Sequence, residues 1–108
     1  MNTLIFNIDY VDPISIYIKQ IHDVISKSQN ILFIDDLRII IHKMHLLDFK
    51  PEIIFNTYIE YIIKKNLLSE DKIHLVIQEA ALNELNCNKT NKYFFCLEKF
   101  FIFIKSII

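Results

Sequence analysis

The feature that most constrains this chain is the absence of glycine from all of its 108 residues. Tight two-residue β-hairpins need backbone conformations with positive φ, and glycine adopts them without steric cost. A β-sheet domain of this length would need several such turns. The missing glycine therefore favours an all-α fold, in which other residues can make the connections between helices.

The composition is that of one domain with an ample core. Hydrophobic residues make up 53% of the chain and charged residues 23%. The many isoleucines would favour strands by propensity alone. Their spacing decides better than their number, because abundant Ile, Lys and Asn together are also typical of AT-rich coding sequences. The formal net charge of −1 gives no basic surface, so direct binding of nucleic acid is not expected.

Helix-start signals separated by apolar runs predict five helices. Pro13 and Pro51 suit a first helical turn, where a missing N–H costs nothing. Asp35 and Asp36 favour a helix start through the helix dipole, and Ser69 can cap the fourth helix. Between these breaks apolar residues recur at helical spacing. The domain is predicted to span residues 12–108, with helices over about 13–26, 35–46, 51–65, 69–86 and 91–107.

Two further segments carry local signals. Within residues 1–11 every second position from 4 to 10 is apolar, which allows a short extended segment, and these positions are Leu4, Phe6, Ile8 and Tyr10. Asn88 is predicted to close the fourth helix in the left-handed conformation, which Asn tolerates better than most residues. The N-terminus has no basic residues before an apolar run, so a secretory signal is not predicted. We expect an intracellular protein, nuclear or cytoplasmic.

The fifth predicted helix is apolar on more than one face. It is either a central helix wrapped by the other four or a helix that contacts a partner, and we favour the partner because surplus apolar surface usually marks a protein contact. A membrane anchor is not expected, because residues 93–108 are interrupted by charges and shorter than the ~20 residues that a span needs. The predicted protein interface consists of Phe94, Leu97, Phe101, Ile104 and Ile108.

The sequence contains no recognisable catalytic or cofactor motif. His42 and His45 share one face of the second helix, but a zinc site needs at least one more ligand. No pair of carboxylates stands out for acid–base chemistry, and a chain without glycine cannot build the usual phosphate-binding loop. Cys87 and Cys96 match no metal or redox motif and are interpreted as reduced thiols. We therefore expect no enzyme activity, no cofactor, no metal and no small-molecule substrate.

Three segments resemble one known family. Residues 48–54 read Asp-Phe-Lys-Pro-Glu-Ile-Ile, residues 68–73 read Leu-Ser-Glu-Asp-Lys-Ile, and residues 81–90 end in a turn-like run around Asn88. Their order is similar to the C-terminal collar domain of clamp-loader small subunits, the replication factor C family, over residues 12–104. The resemblance implies a five-helix collar that holds protein subunits in a homo- or hetero-oligomeric ring during DNA replication. Asn88 stands where that family has glycine, and the family's ATPase module is absent from this sequence.

A second interpretation of the same helices remains open. Small all-α proteins of a kind that viruses use, similar to Bcl-2 proteins, bind a host protein or peptide helix in a surface groove. In that case the chain would be a free-standing adaptor that captures an amphipathic helix. A groove of this kind would favour the adaptor, whereas assembly into a ring would favour the collar.

Overall fold

The chain folds into a bundle of α-helices. The computed structural model describes residues 13–27, 33–90 and 92–108, with the backbone alone for residues 88–90. These residues contain five helices and no strand, so the predicted all-α five-helix bundle is confirmed. The extended segment predicted over residues 1–11 lies outside the described residues. In chain order the helices are α1 (Pro13–Lys27), α2 (Phe33–Leu46), α3 (Pro51–Lys64), α4 (Glu70–Thr90) and α5 (Tyr93–Ile107).

The helix starts follow local chemistry. Pro51 occupies the first turn of α3, as predicted. Asp35 and Asp36 lie in the first turn of α2, although this helix begins two residues earlier than predicted. At α4 the hydroxyl oxygen of Ser69 accepts a hydrogen bond from the backbone N–H of Lys72 at 3.4 Å, which is an N-cap contact. Short-range signals therefore set where these helices begin.

Two helices close with left-handed residues that are not glycine. After α2, Asp48 has φ 61°, and after α3, Asn66 has φ 53°. Each is followed by a backbone N–H that reaches back five residues, from Phe49 to Met44 at 3.1 Å and from Leu67 to the carbonyl of residue 62 at 3.0 Å. This is the Schellman pattern, in which glycine usually holds the left-handed position. The chain makes its helix ends without glycine by using Asp and Asn there.

The predicted turn at Asn88 is wrong. The helix α4 continues through this residue to Thr90, and α5 begins at Tyr93 rather than at residue 91. Only residues 91 and 92 separate the two helices, so the reversal takes place later in the sequence than expected. Asn favours a left-handed position only where the chain must turn, and at residue 88 the helical hydrogen bonds continue instead.

The last helix contacts each of the other four. It packs against α1, α2 and α4. Rings from α3 also reach it, with 4.7 Å between the ring centres of Phe55 and Phe100 and 5.3 Å between those of Tyr58 and Phe101. Burying an aromatic side chain of this size stabilises the fold by roughly 1.5–3 kcal/mol. The described helices include none that is long and apolar enough to cross a membrane.

Candidate functional site

An open groove runs along the surface between α2 and α5. Its volume is about 410 Å³, and Ile39 and Phe94 are its apolar side chains. Charged and imidazole groups stand beside them. We call this feature the α2–α5 groove, and it is lined by Arg38, Ile39, His42, Lys43, Phe94 and Glu98.

The apolar side of the groove follows from the periodicity of α2. Leu37, Ile41 and Met44 point into the core and are fully buried. Residues on the opposite side of the helix must then face outward. Among them Ile39 is 55% exposed and Leu46 is 70% exposed. They are two helical turns apart, about 10 Å along the axis, so α2 presents two separated apolar anchors on its outward side.

The two histidines of α2 contact aromatic rings. The His42 ring stacks on Phe94 with 6.0 Å between ring centres and an interplanar angle of 21°. The His45 ring lies 4.9 Å from Phe94 and 4.6 Å from Tyr93. In the described residues, no group of three His, Cys, Asp or Glu side chains is close enough to hold a metal ion. The shared face of His42 and His45 packs against the first turn of α5.

Tyr93 fixes the start of α5 against the end of α2. Its hydroxyl donates a hydrogen bond of 2.8 Å to the carbonyl oxygen of Phe49. Burial raises the pKa of Tyr93 to about 12, and the charges of Asp48 and Cys87 add to this effect. The phenol therefore stays protonated and remains a donor at neutral pH. This contact holds the neighbouring Phe94 at the edge of the groove.

The rim of the groove carries an excess of positive charge. Arg38 and Glu98 form a salt bridge of 3.1 Å that ties α2 to α5. The remaining cation, Lys43, is exposed and has no ion pair within the described part of the chain. An exposed pair such as Arg38–Glu98 contributes little stability, so its main effect here is to cancel one charge of each sign. The uncompensated charge of the rim is that of Lys43.

Most of the interface predicted on α5 is buried in the structure. Leu97, Phe101 and Ile104 are completely buried in the core, whereas Phe94 and Ile108 are partly exposed. All five lie on one stripe of the helix, and this stripe faces inward. The other helices cover the three central residues in this structure, so only the two ends of the stripe reach the surface. The partner contact through α5 stays a prediction.

Comparisons with known proteins identify no relative. No protein-family model, no curated protein and no solved structure matches this chain. The resemblance to the clamp-loader collar therefore stays a prediction.

The outward side of α4 is unexpectedly apolar. Val76 and Ala80 are buried, whereas three leucines of the same helix are exposed. Helical periodicity explains the difference, because these leucines lie roughly 100–180° around the helix from Val76 and so face away from the core. The most exposed of them, Leu82, has 59% of its surface accessible. We call them the α4 leucine row, which consists of Leu75, Leu82 and Leu85.

A second groove lies between α1 and α3, and most of the residues that line it are polar or charged. Beneath it, Nδ1 of the His22 ring is 3.0 Å from the hydroxyl of Tyr58, and the ring centre of Tyr61 is 5.7 Å away. Burial lowers the pKa of His22, although Asp23 opposes the shift, and burial raises the pKa of Tyr58. A neutral imidazole therefore shares this hydrogen bond with a protonated phenol, and the ring tautomer decides which of the two donates. The groove has a volume of about 610 Å³ and is lined by Ser15, Ile16, Lys19, Gln20, Asp23, Tyr61 and Lys65.

Sequence reasoning missed the α2–α5 groove and the proximity of the two cysteines. The outward position of Ile39 and Leu46 follows from the inward stripe of α2. The sequence does not show that Phe94 of α5 lies next to Ile39. Cys87 and Cys96 are both free and buried, and both lie next to the carbonyl oxygen of Lys92. Their spacing suits a helical hairpin with a short connector. That signal was hidden because α4 was predicted to end at residue 86.

Proposed function

We propose that this chain is a non-catalytic adaptor whose α2–α5 groove binds one amphipathic helix of a partner protein. The bound helix carries apolar residues along one face and acidic residues beside them. The observation that supports this function is an exposed apolar strip. It is formed by Ile39 and Phe94 in the α2–α5 groove and is continued by Leu46 on the outward side of α2. Soluble chains rarely leave such a strip uncovered without a partner.

The spacing of the strip suits a helix. Ile39 and Leu46 are about 10 Å apart along α2, which is the distance between residues i and i+7 on a partner helix lying alongside. Phe94 supplies a third contact from α5, next to the histidine rings that support it. Helix-in-groove recognition uses anchors at i, i+3 or i+4, and i+7. A partner helix can therefore place two or three apolar side chains against this strip.

The charge of the rim indicates the polar residues of the partner. Lys43 is uncompensated in the described residues, and Arg38 keeps further donors besides the one that binds Glu98. Both cations lie beside the apolar strip. Acidic side chains flanking the apolar face of the partner complement this rim, whereas basic ones are repelled.

A displayed library of amphipathic helices tests the proposal. Every member has the same apolar face, and its flanking positions are randomised between Glu and Lys. We expect selection by the purified chain to enrich Glu at the flanks. In fluorescence titrations of a selected peptide, Ile39→Glu should weaken binding at least tenfold, a loss of about 1.4 kcal/mol or more. Lys43→Glu should weaken the binding of acidic peptides and strengthen the binding of basic ones.

Leu82→Glu is the matched control. Leu82 is an exposed leucine of α4 outside the α2–α5 groove, with an exposure close to that of Ile39. It should leave peptide binding unchanged. Both substitutions are at the surface, so circular dichroism should report intact helices in each variant. Equal loss of binding in Ile39→Glu and Leu82→Glu, or enrichment of Lys at the flanks, would contradict the proposal.

Self-association through the α4 leucine row is a second candidate function. Leu75, Leu82 and Leu85 follow one another at intervals of seven and three residues, which is the a/d spacing of a coiled-coil seam. A second copy of the chain offers the same row, and two rows can pack around a two-fold axis. This candidate keeps the assembly role implied by the clamp-loader resemblance but moves the contact from α5 to α4.

Sedimentation analysis separates the two candidates. If the α4 leucine row mediates self-association, the purified chain sediments as a dimer or larger and Leu82→Glu converts it to a monomer. Ile39→Glu then leaves the oligomer intact. A chain that remains monomeric at high concentration rules out self-association by this row, and the adaptor proposal is unaffected by that result.

A further inference from the structure

Cys87 and Cys96 meet where α4 turns into α5. Cys87 lies in the last turns of α4 and Cys96 in the first turn of α5, and both are buried. The carbonyl oxygen of Lys92 accepts a hydrogen bond of 3.0 Å from the backbone N–H of Cys96 and lies 3.9 Å from Sγ of Cys87. These two distances to one carbonyl oxygen place Sγ of Cys87 within about 7 Å of the backbone nitrogen of Cys96. The two cysteines are therefore close neighbours in the folded chain.

We infer that Cys87 and Cys96 form an intramolecular disulfide when the protein meets a small disulfide oxidant such as oxidised glutathione. Cys87 is the more accessible thiol, at 8% exposure against 1% for Cys96. Its thiolate attacks the glutathione disulfide, forms a mixed disulfide and releases one glutathione thiolate. The Cys96 thiolate then attacks the Cys87 sulfur and expels the second. Each released thiolate takes up the proton that a cysteine lost, so two protein thiols are oxidised and one glutathione disulfide is reduced.

Burial makes this disulfide slow to form and hard to reduce. It raises the pKa of Cys87 to about 12, with contributions from Cys96 and from Glu84, so little thiolate is present at neutral pH. The oxidation rate should therefore rise roughly tenfold for each unit of pH. Once formed, the bond is shielded from reductants. It joins α4 to α5 directly and acts as a stabilising cross-link.

The full chain is tested by incubation with oxidised glutathione under native conditions. Acid quenching, alkylation in denaturant and mass spectrometry then give the state of each cysteine. We expect a product that has lost two hydrogen atoms and gained no glutathione, with peptides around Cys87 and Cys96 linked. Closing a loop of this length should raise the melting temperature by about 10 °C. The inference does not depend on the proposed function.

Serine variants show the order of the two steps. Cys96→Ser should stop at a stable glutathione adduct on Cys87, and Cys87→Ser should remain largely unmodified. Circular dichroism checks that both variants fold. If one does not, peptide mapping of the unsubstituted chain still shows whether the Cys87–Cys96 disulfide forms. The inference is overturned if that chain accumulates only glutathione adducts, only intermolecular dimers or only free thiols under conditions that oxidise the unfolded chain. A lower melting temperature after oxidation would also overturn it.

Discussion

The imidazole of His22 and the phenol of Tyr58 form a buried hydrogen bond of 3.0 Å that links α1 to α3 across 36 positions of sequence. Burial lowers the pKa of His22 and raises that of Tyr58, so both groups stay neutral at physiological pH. The phenol can donate while Nδ1 of the ring accepts. Protonation of the ring would remove this acceptor and place a charge in a desolvated position.

Acidification is expected to destabilise the fold through His22. Because its pKa in the folded chain is below the ordinary value of 6.5, the unfolded chain binds the proton first as the pH falls. The stabilisation is complete above about pH 6.5 and is lost as the pH falls through the folded-state pKa, at about 1.4 kcal/mol for each unit by which that pKa is lowered. Urea unfolding at about pH 8 and about pH 5 measures the loss. His22→Gln should reduce the pH dependence, and an unchanged dependence would contradict this role.

Phe101 and Phe95 should respond very differently to truncation. Phe101 is completely buried on the inward stripe of α5, whereas Phe95 is 61% exposed. Phe101→Ala should lower the free energy of unfolding by about 3–5 kcal/mol, because it leaves a cavity in the centre of the bundle. Phe95→Ala should change it by less than about 0.5 kcal/mol. Equal effects in chemical denaturation would show that α5 is not oriented as described.

Asn83 is a buried polar residue that the fold should tolerate losing. Its amide nitrogen donates to the backbone carbonyl and to the carboxylate of Glu79, but its Oδ1 has no hydrogen-bond partner in the described residues. Asn83→Leu removes the unpaired oxygen and adds apolar contact, so it should stabilise the fold by roughly 1 kcal/mol. Asn83→Asp places a second carboxylate beside Glu79 and should destabilise it by roughly 2–3 kcal/mol. Thermal unfolding of the two variants should shift in opposite directions.

The helix ends give a test of where the chain turns. Asn66 adopts a positive φ after α3, so Asn66→Ala should cost about 1 kcal/mol and Asn66→Gly should be neutral or stabilising. Asn88 lies within α4, so Asn88→Ala should change the stability by less than about 0.5 kcal/mol. Chemical denaturation compares the three variants. A larger loss at residue 88 than at residue 66 would restore the predicted turn at Asn88.

Local features of the fold could be predicted from the sequence. The five helices, the first-turn proline of α3, the Ser69 cap and the inward stripes of α1 and α2 all follow from interactions between residues close in sequence. The end of α4 could not be predicted in this way. Asn88 is compatible with both a left-handed turn and a continuing helix, and the position of the next helix decides between them.

The candidate site depended on packing between distant segments. The sequence of α5 offers several apolar stripes of similar strength, and periodicity alone cannot choose the one that meets α3. Once the stripe with Leu97 and Phe101 is buried, Phe94 is left at the edge of α2 and the groove beside Ile39 is formed. The same placement decides which residues a partner can reach.

The sequence by itself determined that this chain is an all-α bundle, because the absence of glycine, the helix-start residues and the helical periodicity act over a few positions. The tertiary structure decided which stripe of α5 faces the core, that His22 bonds to Tyr58 and that Cys87 lies next to Cys96. Those contacts join residues on different helices, so they depend on how the helices are oriented against each other. Burial of apolar surface fixes that orientation, and it is a property of the whole bundle.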